Sequence, residues 1–331
     1  MSVFLTKKKK HLKEIKAPIA EEMGLFEIHF RKSISSSVPL LDKIAHYIAK
    51  RKGKQMRPMF VFFLAKLCGE VNDSTYEAAT FVELMHTGSL VHDDVVDDAN
   101  ERRGFFSINA LWKNKIAVLV GDYLLSRGPY LAMRNKEYKI FELMTQAMEH
   151  IIEGELLQLE KARRLDINEA VYYEIIKGKT ASLIAAACAA GAASVIKDEE
   201  IISEAKMFGE KVGMAFQIKD DLFDYGTNYI GKPLGIDIKE KKMTLPLIHA
   251  LNSVPKSQKK RIINIVRKND NQPEKIAQVI NFVRDNGGLE YAKKAMYNFR
   301  EEAFQILEKF PASPARTALR DLVIFVTERD R

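Results

Sequence analysis

Apolar residues recur at helical spacing through most of this chain. The stretches run roughly over 74 to 98, 115 to 133, 136 to 160, 168 to 195 and 199 to 225, and the alternating segments expected of half-buried strands are missing. A chain patterned this way buries its apolar faces by packing helix on helix, so an all-α fold is predicted. Capping or proline signals start helices at Asp73-Ser74, Asp166, Pro273 and Ser313-Pro314, and glycine stops follow Cys68 and Asn286. No Pro/Gly/Ser-rich linker interrupts the pattern, which predicts a basic N-terminal tail over 1–18 and a single all-α domain over 19–331. The hydrophobic content of 47% is ample for a large core.

Lys7 to Lys10 follow the short apolar opening instead of preceding a longer one, the wrong order for a secretory signal. No uncharged apolar run approaches the ~20 residues of a membrane span. The nearest, Thr180 to Ile196, is rich in small residues and reads as a tightly packed core helix. Cys68 and Cys188 each sit in an apolar run, as reduced buried thiols of a cytoplasmic protein do. At most peripheral membrane contact is expected.

The costliest local feature is acidic. "HDDVVDD" places Asp93, Asp94, Asp97 and Asp98 at the end of the 74–98 helix, with Asp93 and Asp97 one turn apart on one face. Like charges at i, i+4 repel by a few tenths of a kcal/mol, and carboxylates near a helix C-terminus oppose its dipole. A solvated acidic face would interleave lysines, yet the neighbours here are Leu90, Val91, Val95 and Val96. The D-D-x-x-D spacing recurs as Asp220, Asp221 and Asp224 near the end of another apolar helix. Expensive charge arranged twice in the same way points to bound cations. Carboxylates without imidazole or thiolate select hard ions, and Mg²⁺ is commonly shared with phosphates, so the implied ligand is a Mg²⁺-bridged diphosphate.

Cationic residues suited to that ligand accompany both clusters. Gly53, Lys54 and Arg57 precede or open a helix at Pro58, although a solvated helix start reads the same way. Arg102 and Arg103 follow the first cluster closely, and arginine suits bidentate phosphate contacts. Lys179-Thr180 adds charge, as do Lys232 and Lys242, while the run Lys239, Lys241 and Lys242 is also what a solvated surface looks like. His86 lies on the face of Asp93, where a lone histidine is more often a hydrogen-bonded core residue. Gln217 is one turn before Asp220 and points toward the second cluster.

Taken in order, these residues resemble the trans-type polyprenyl diphosphate synthases. The resemblance covers about Gly53 to Pro246: GKxxRP at 53–58, HDDVVDD then RRG at 92–104, GDYLL at 121–125, GE with Gln158 at 154–158, KT at 179–180, GxxFQIxDDxxD at 213–224, and GKPxGxD with KxTLP at 231–246. It implies a bundle of long antiparallel helices around a deep central cavity, usually homodimeric. It further implies Mg²⁺, up to three ions per site, held by Asp93, Asp94, Asp97, Asp220, Asp221 and Asp224 on an allylic diphosphate. Arg102, Lys179 and Lys232 would contact that diphosphate, with Lys242 supporting it. Lys54, Arg57, His86 and Arg103 would hold isopentenyl diphosphate, and Thr180 and Gln217 would face the forming carbocation. One departure is that Lys241 stands where the family often has glycine before K-x-T-L-P.

A class I terpene cyclase would leave GKxxRP, His86 and Arg103 without purpose, and a regulatory subunit of a heteromeric synthase would tolerate loss of the aspartates. The net charge of +8 is not accompanied by aromatic interleaving or a nucleic-acid motif, so no nucleic-acid partner is expected. In the resembling family, aromatic residues four or five places before the first aspartate close the cavity at short products. Here those places are Ser89 and Gly88, which predicts a long-chain product of the heptaprenyl or octaprenyl class. The growing tail is expected to run down the face of Ser89, Met85 and Phe81 or Val82, with a floor near Phe81 or from aromatics on neighbouring helices such as Phe62, Phe63 or Phe141.

Overall fold

The computed structural model describes residues 11–51, 53–102, 104–165, 167–226, 235–268 and 272–329. Its elements in order are α1 (Leu12–Lys16), a 3₁₀ turn (Ala17–Ile19), α2 (Ala20–Ile34), α3 (Pro39–Lys50), α4 (Met56–Cys68) and α5 (Asp73–Val96). A two-stranded hairpin, β1 (Glu101–Arg102) and β2 (Phe105–Phe106), follows, then α6 (Ile108–Trp112), α7 (Asn114–Arg134), α8 (Tyr138–Arg164) and α9 (Glu169–Ile176). A π-helical turn (Lys177–Ala181) leads into α10 (Ser182–Ala193) and α11 (Glu199–Phe223). The chain ends through α12 (Ile236–Lys239), α13 (Leu245–Asn252), α14 (Lys256–Lys268), α15 (Pro273–Asp285), α16 (Gly288–Leu307) and α17 (Pro314–Glu328).

Two compact units emerge, one from Met1–Met148, Leu183–Lys206 and Phe310–Leu319, the other from Glu149–Ser182, Met207–Lys309 and Arg320–Arg331. Within the first, α5 begins at a capping box in which Asn72 accepts from the Thr75 amide and the Thr75 hydroxyl accepts from the Asn72 amide. The seam between α5 and α7 is made of glycines. A Cβ on Gly88 would lie 2.8 Å from Leu125, one on Gly121 2.2 Å from the His92 ring, and one on Gly128 2.3 Å from the Phe81 ring. Small residues are what permit this approach, so the glycine of the GDYLL motif is a packing residue. The small-residue run behaves the same way: a Cβ on Gly191 in α10 would be 2.4 Å from the Val61 carbonyl oxygen of α4.

In the second unit α9, α13, α15 and α16 share a core that includes Tyr172, Leu247, Val283 and Met296. The π turn lies where Gly178 crosses Gly154 of α8, a Cβ on Gly154 meeting the Lys179 amide nitrogen at 2.7 Å. Arg284 closes the C-terminal end of α11, its Nη2 donating to the carbonyls of Tyr225 at 2.7 Å and Gly226 at 2.9 Å.

The all-α reading holds, with two local exceptions. The hairpin after α5 is a real pair of two-residue strands, Glu101 opposite Phe106 and Arg102 opposite Phe105. The predicted 168–195 helix is interrupted by the π turn, since an i to i+5 insertion leaves apolar periodicity almost unchanged. Glu169–Ala193 is long and apolar enough to cross a membrane by length and composition, yet 72% of its most apolar window is buried. Residues 1–10 of the expected tail lie outside the described residues, whereas α1 lies within 1–18 and buries Ile15. The Phe81 ring fills the notch at Gly128, and Val82, seven residues before Ser89, continues the Ser89 face.

Candidate active site

In the first unit the acidic cluster sits where α5 ends. Asp97 is the C-cap, its amide donating to the Asp93 carbonyl at 2.8 Å, and Asp98 then takes a left-handed conformation at φ 50° that turns the chain toward the hairpin. Asp93 is half-buried and Asp97 exposed, but Asp94 is only 4% exposed. Burial pushes the Asp94 carboxyl above its ordinary range, and Arg102 opposes that shift, its Nε donating to Asp94 Oδ1 at 2.6 Å. Asn109 of α6 fastens the turn by donating to the carbonyls of Asp94 and Ala99. His86, Asp94 and Arg102 line one cavity, together with Gly53 and Gln55 from the strap before α4. Gln55 is a buried residue at φ 51°, the kind of non-glycine backbone strain that clusters at functional sites. Lys54 in this strap is exposed, and Arg57 in the first turn of α4 is half-buried. Arg103 lies outside the described residues.

The second cluster, in the other unit, is more deeply set. Asp221 is 5% exposed and accepts from the Tyr172 hydroxyl at 2.7 Å and from Gln217 Nε2 at 2.8 Å. Thr180 donates in turn to Gln217 Oε1 at 2.7 Å, so Thr180, Gln217 and Asp221, all singled out from sequence, form one hydrogen-bonded chain. Burial, then the charge of Asp237, pushes the Asp221 carboxyl up to about 8 and that of Asp224 up to about 7. Asp224 Oδ1 accepts from the Ile236 amide at 2.8 Å, while its Oδ2 is buried without a hydrogen-bond partner. Lys179, which pairs with Glu155, lines a cavity with Thr180, Gln217, Asp221, Asp237 and Lys242. Lys242 approaches Asp237 at 3.6 Å and pairs with Glu240. Lys241 holds φ 58°, the left-handed turn conformation that glycine adopts freely, so replacing glycine here keeps the turn at the cost of strain. Lys232 lies outside the described residues.

A hard dication fits this second set: a buried carboxylate oxygen with nothing to bind, beside two further buried or half-buried acids whose charges raise one another, is a site short of positive charge. Among the described residues no three acidic, imidazole or thiol groups cage a metal on their own. Mg²⁺ shared with substrate phosphates and water requires no such cage.

Two participants were not flagged from sequence. Asp237 lay inside a quoted motif, and its proximity to Asp221 and Asp224 could have been suspected from that. Arg329, just beyond α17, forms a short ion pair with Asp220 and packs its guanidinium 4.6 Å from the Phe216 ring centre and 5.4 Å from that of Phe223. No sequence signal joins residues 109 apart.

Residues 38–283 match the polyprenyl synthetase family. The chain is 35% identical over 96% of its length, and 97% of the other's, to an all-trans-nonaprenyl-diphosphate synthase (geranyl-diphosphate specific) of Rhodobacter capsulatus. Its fold superimposes with a TM-score of 0.90 on a polyprenyl synthase from Caulobacter crescentus CB15 complexed with calcium and isoprenyl diphosphate, at 31% identity over 98% of this chain and 100% of that one. A geranylgeranyl pyrophosphate synthase from Bacteroides thetaiotaomicron is 39% identical with a TM-score of 0.82, covering 95% of this chain and 98% of that one. With a match that spans most of its length and relatives that align nearly end to end, this chain belongs to the polyprenyl synthetase family, prenyl transferases that extend an allylic diphosphate head-to-tail with isopentenyl diphosphate.

Proposed function

We propose that the chain is a Mg²⁺-dependent, long-chain member that extends farnesyl or geranylgeranyl diphosphate to an all-trans product of about six to eight isoprene units, judged from one helical turn of cavity per unit. The observation that carries the reading is the pair of D-D-x-x-D clusters, each at the end of an apolar helix and each accompanied by cationic side chains. Asp93, Asp94, Asp97, Asp220, Asp221 and Asp224 would hold up to three Mg²⁺ ions, which supply positive charge to the leaving diphosphate when bound.

The chain's own residues then divide the work. Arg102, Lys179 and Lys232, supported by Lys242, bind the allylic diphosphate and stabilise the electron pair it takes as the C–O bond breaks. Thr180 commits its proton to Gln217, which leaves its oxygen lone pairs and the amide dipole for the allylic cation. Lys54, Arg57, His86 and Arg103 hold isopentenyl diphosphate so that its alkene attacks that cation, forming the new C–C bond. Loss of a proton to the departed diphosphate completes one cycle. Apolar walls keep water from the cation meanwhile.

The exposed row Ile152, Leu156 and Leu159 on α8, spaced i, i+4, i+7, suits a homodimer contact. Burial pushes the Cys68 thiol up to about 11, in keeping with reduced thiols in a cytoplasmic protein. A shorter product is the second reading, favoured by the 39% identity to a geranylgeranyl pyrophosphate synthase. Incubating the purified protein with Mg²⁺, farnesyl diphosphate and labelled isopentenyl diphosphate, followed by chain-length analysis, tests both. Products of six to eight units are expected, and arrest at four units selects the second reading.

A further inference from the structure

The hairpin that carries Arg102 has little to hold it in place by itself. Its strands are two residues each, and two-stranded ribbons are marginal in water even when longer. Its base is fixed by Ser107, whose amide donates to the Asn100 carbonyl at 3.0 Å and whose hydroxyl donates to the Ala99 carbonyl at 2.7 Å. On β2, by contrast, Phe105 and Phe106 are 48% and 57% exposed.

What reaches this strand is the end of α3. The Arg51 guanidinium lies 3.8 Å from the Tyr47 ring centre and 4.4 Å from that of Phe105, so it sits against both aromatic faces. Its Nη1 donates to the Tyr47 hydroxyl at 2.6 Å, and that hydroxyl donates to the Phe106 carbonyl at 2.6 Å. Tyr47 is steadied in turn by Trp112, edge-on at 5.2 Å. The cross-strand partner of Phe105 is Arg102, whose Nε holds the buried Asp94. A continuous set of contacts thus runs from Arg51 through Phe105 to Arg102 and Asp94. Tyr47, Arg51, Phe105 and Phe106 line the same cavity as His86 and Gln55.

We propose that Arg51 is a positioning residue for prenyl transfer, clamping Phe105 and, through Tyr47, the Phe106 carbonyl, so that the hairpin presents Arg102 to Asp94 and to the allylic diphosphate. The proposal rests on the assignment of Arg102 to the allylic diphosphate made above. Arginine is suited to the task because one planar group can stack on an aromatic face and donate in its own plane at once. A lysine could keep the charge over Phe105 but not the two-ring stack with its in-plane bond.

The test uses the full chain in the Mg²⁺, farnesyl diphosphate and isopentenyl diphosphate assay, with Arg51→Ala, Arg51→Lys, Phe105→Ala and the Arg51→Ala/Phe105→Ala double variant. Arg51→Ala is expected to raise KM for farnesyl diphosphate roughly tenfold, the ratio that corresponds to losing a partly desolvated cation–π contact and one hydrogen bond, with kcat changed less than about threefold. Arg51→Lys should fall between. The double variant should be no worse than the worse single one, because the two side chains act as a unit. Trp112 is the chain's one tryptophan, so its emission reports on the cluster without turnover, and the emission change on adding farnesyl diphosphate with Mg²⁺ but no isopentenyl diphosphate should need correspondingly more ligand in Arg51→Ala. An inactive wild-type protein would instead overturn the assignment of Arg102 to an allylic diphosphate. If the wild type is active and Arg51→Ala leaves KM within twofold, lowers kcat alone, or adds independently to Phe105→Ala, the clamp is wrong.

Discussion

The two aspartate clusters share a spacing and little else. At the end of α5 the buried member, Asp94, already has an arginine against it, and Asp97 faces water. At the end of α11 the buried Asp221 and the half-buried Asp224 face a third acid, Asp237, and the internal cation Arg329 is paired with Asp220 instead. One five-residue pattern therefore yields a cluster whose buried carboxylate is paired with an arginine of its own chain and a cluster whose buried carboxylate is held by neutral donors. The difference comes from what the following segment brings back: a hairpin with Arg102 in one case, α12 with Asp237 in the other. A ligand spacing fixes which side chains can converge, and its surroundings fix how strongly they need a cation.

The largest effect expected from this contrast is on turnover. Asp220→Ala and Asp93→Ala should each lower kcat/KM by at least about a hundredfold, the range found when a charge-stabilising group is lost from an active site, with the helical circular dichroism unchanged. Near-native rates for both variants at saturating Mg²⁺ would remove the paired-metal reading altogether.

A second effect separates the clusters by pH. Asp221 and Asp224 have folded-state values of about 8 and about 7, above the ordinary carboxyl value of 3.8, so the folded protein binds these protons more tightly than the unfolded chain. Their contribution to stability is complete below the unfolded value and is lost as pH rises through the folded ones. In EDTA the melting temperature should accordingly fall between about pH 4 and pH 8, and Mg²⁺ should restore it most at the upper end. Asp237→Asn removes the largest charge acting on both groups and should flatten the slope, whereas Asn in place of Asp97 should not. A slope unchanged by Asp237→Asn would show that the α11 cluster is not charge-crowded.

Much of this was legible in the chain. Periodicity located α5, α7, α8 and α11 to within a few residues because each must bury a continuous stripe, and the D-D-x-x-D repeats stood out because clustered like charge on apolar helices is costly. The partners were not legible. Arg329 reaches Asp220 from across the sequence, and Arg51 meets Phe105 because the end of α3 and the hairpin converge in space; neither leaves a periodic trace. The π turn was hidden for the opposite reason, since it alters hydrogen bonding while sparing the apolar pattern. Phe81 was placed by helix geometry alone, which could not foresee that Gly128 opens a notch for its ring.

A smaller effect distinguishes the two internal cations. Arg102→Ala takes its arginine from the buried Asp94, which should cost roughly 1–3 kcal/mol of stability in a thermal or urea melt, less than the about 3–5 kcal/mol of a fully buried pair because the Arg102 side chain is 35% exposed. Arg329→Ala frees Asp220, which remains about a third exposed, so stability should change by less than about 1 kcal/mol. Because Arg329 competes for the same carboxylate, its removal should lower the Mg²⁺ concentration needed for half-maximal thermal protection by roughly threefold, about what one screened surface charge is worth. An increase would mean that Arg329 assists the cation instead of standing in for it.

The smallest expected effect on rate tests the α5 face above the first cluster. Ser89 is half-buried one turn before Asp93, with Met85 and then Val82 behind it, and no aromatic ring occupies that face before Val82. One turn of helix rises 5.4 Å, close to the length of one isoprene unit, so a ring at position 89 meets the tail after very few additions. Met85 is flexible enough to yield to a growing chain, and Val82 is small. The first aromatic ring beyond them on α5 is Phe81, packed against Gly128. Ser89→Phe should therefore shorten the product to three or four units while the initial rate of isopentenyl diphosphate incorporation stays within about twofold, because the ring sits behind the reacting carbons and not among the groups that bind diphosphate. Thin-layer separation of the dephosphorylated products reads the outcome directly. If Ser89→Phe leaves the distribution unchanged, the tail runs along another helix and the contrast between an open α5 face and an aromatic-closed one loses its meaning for this chain.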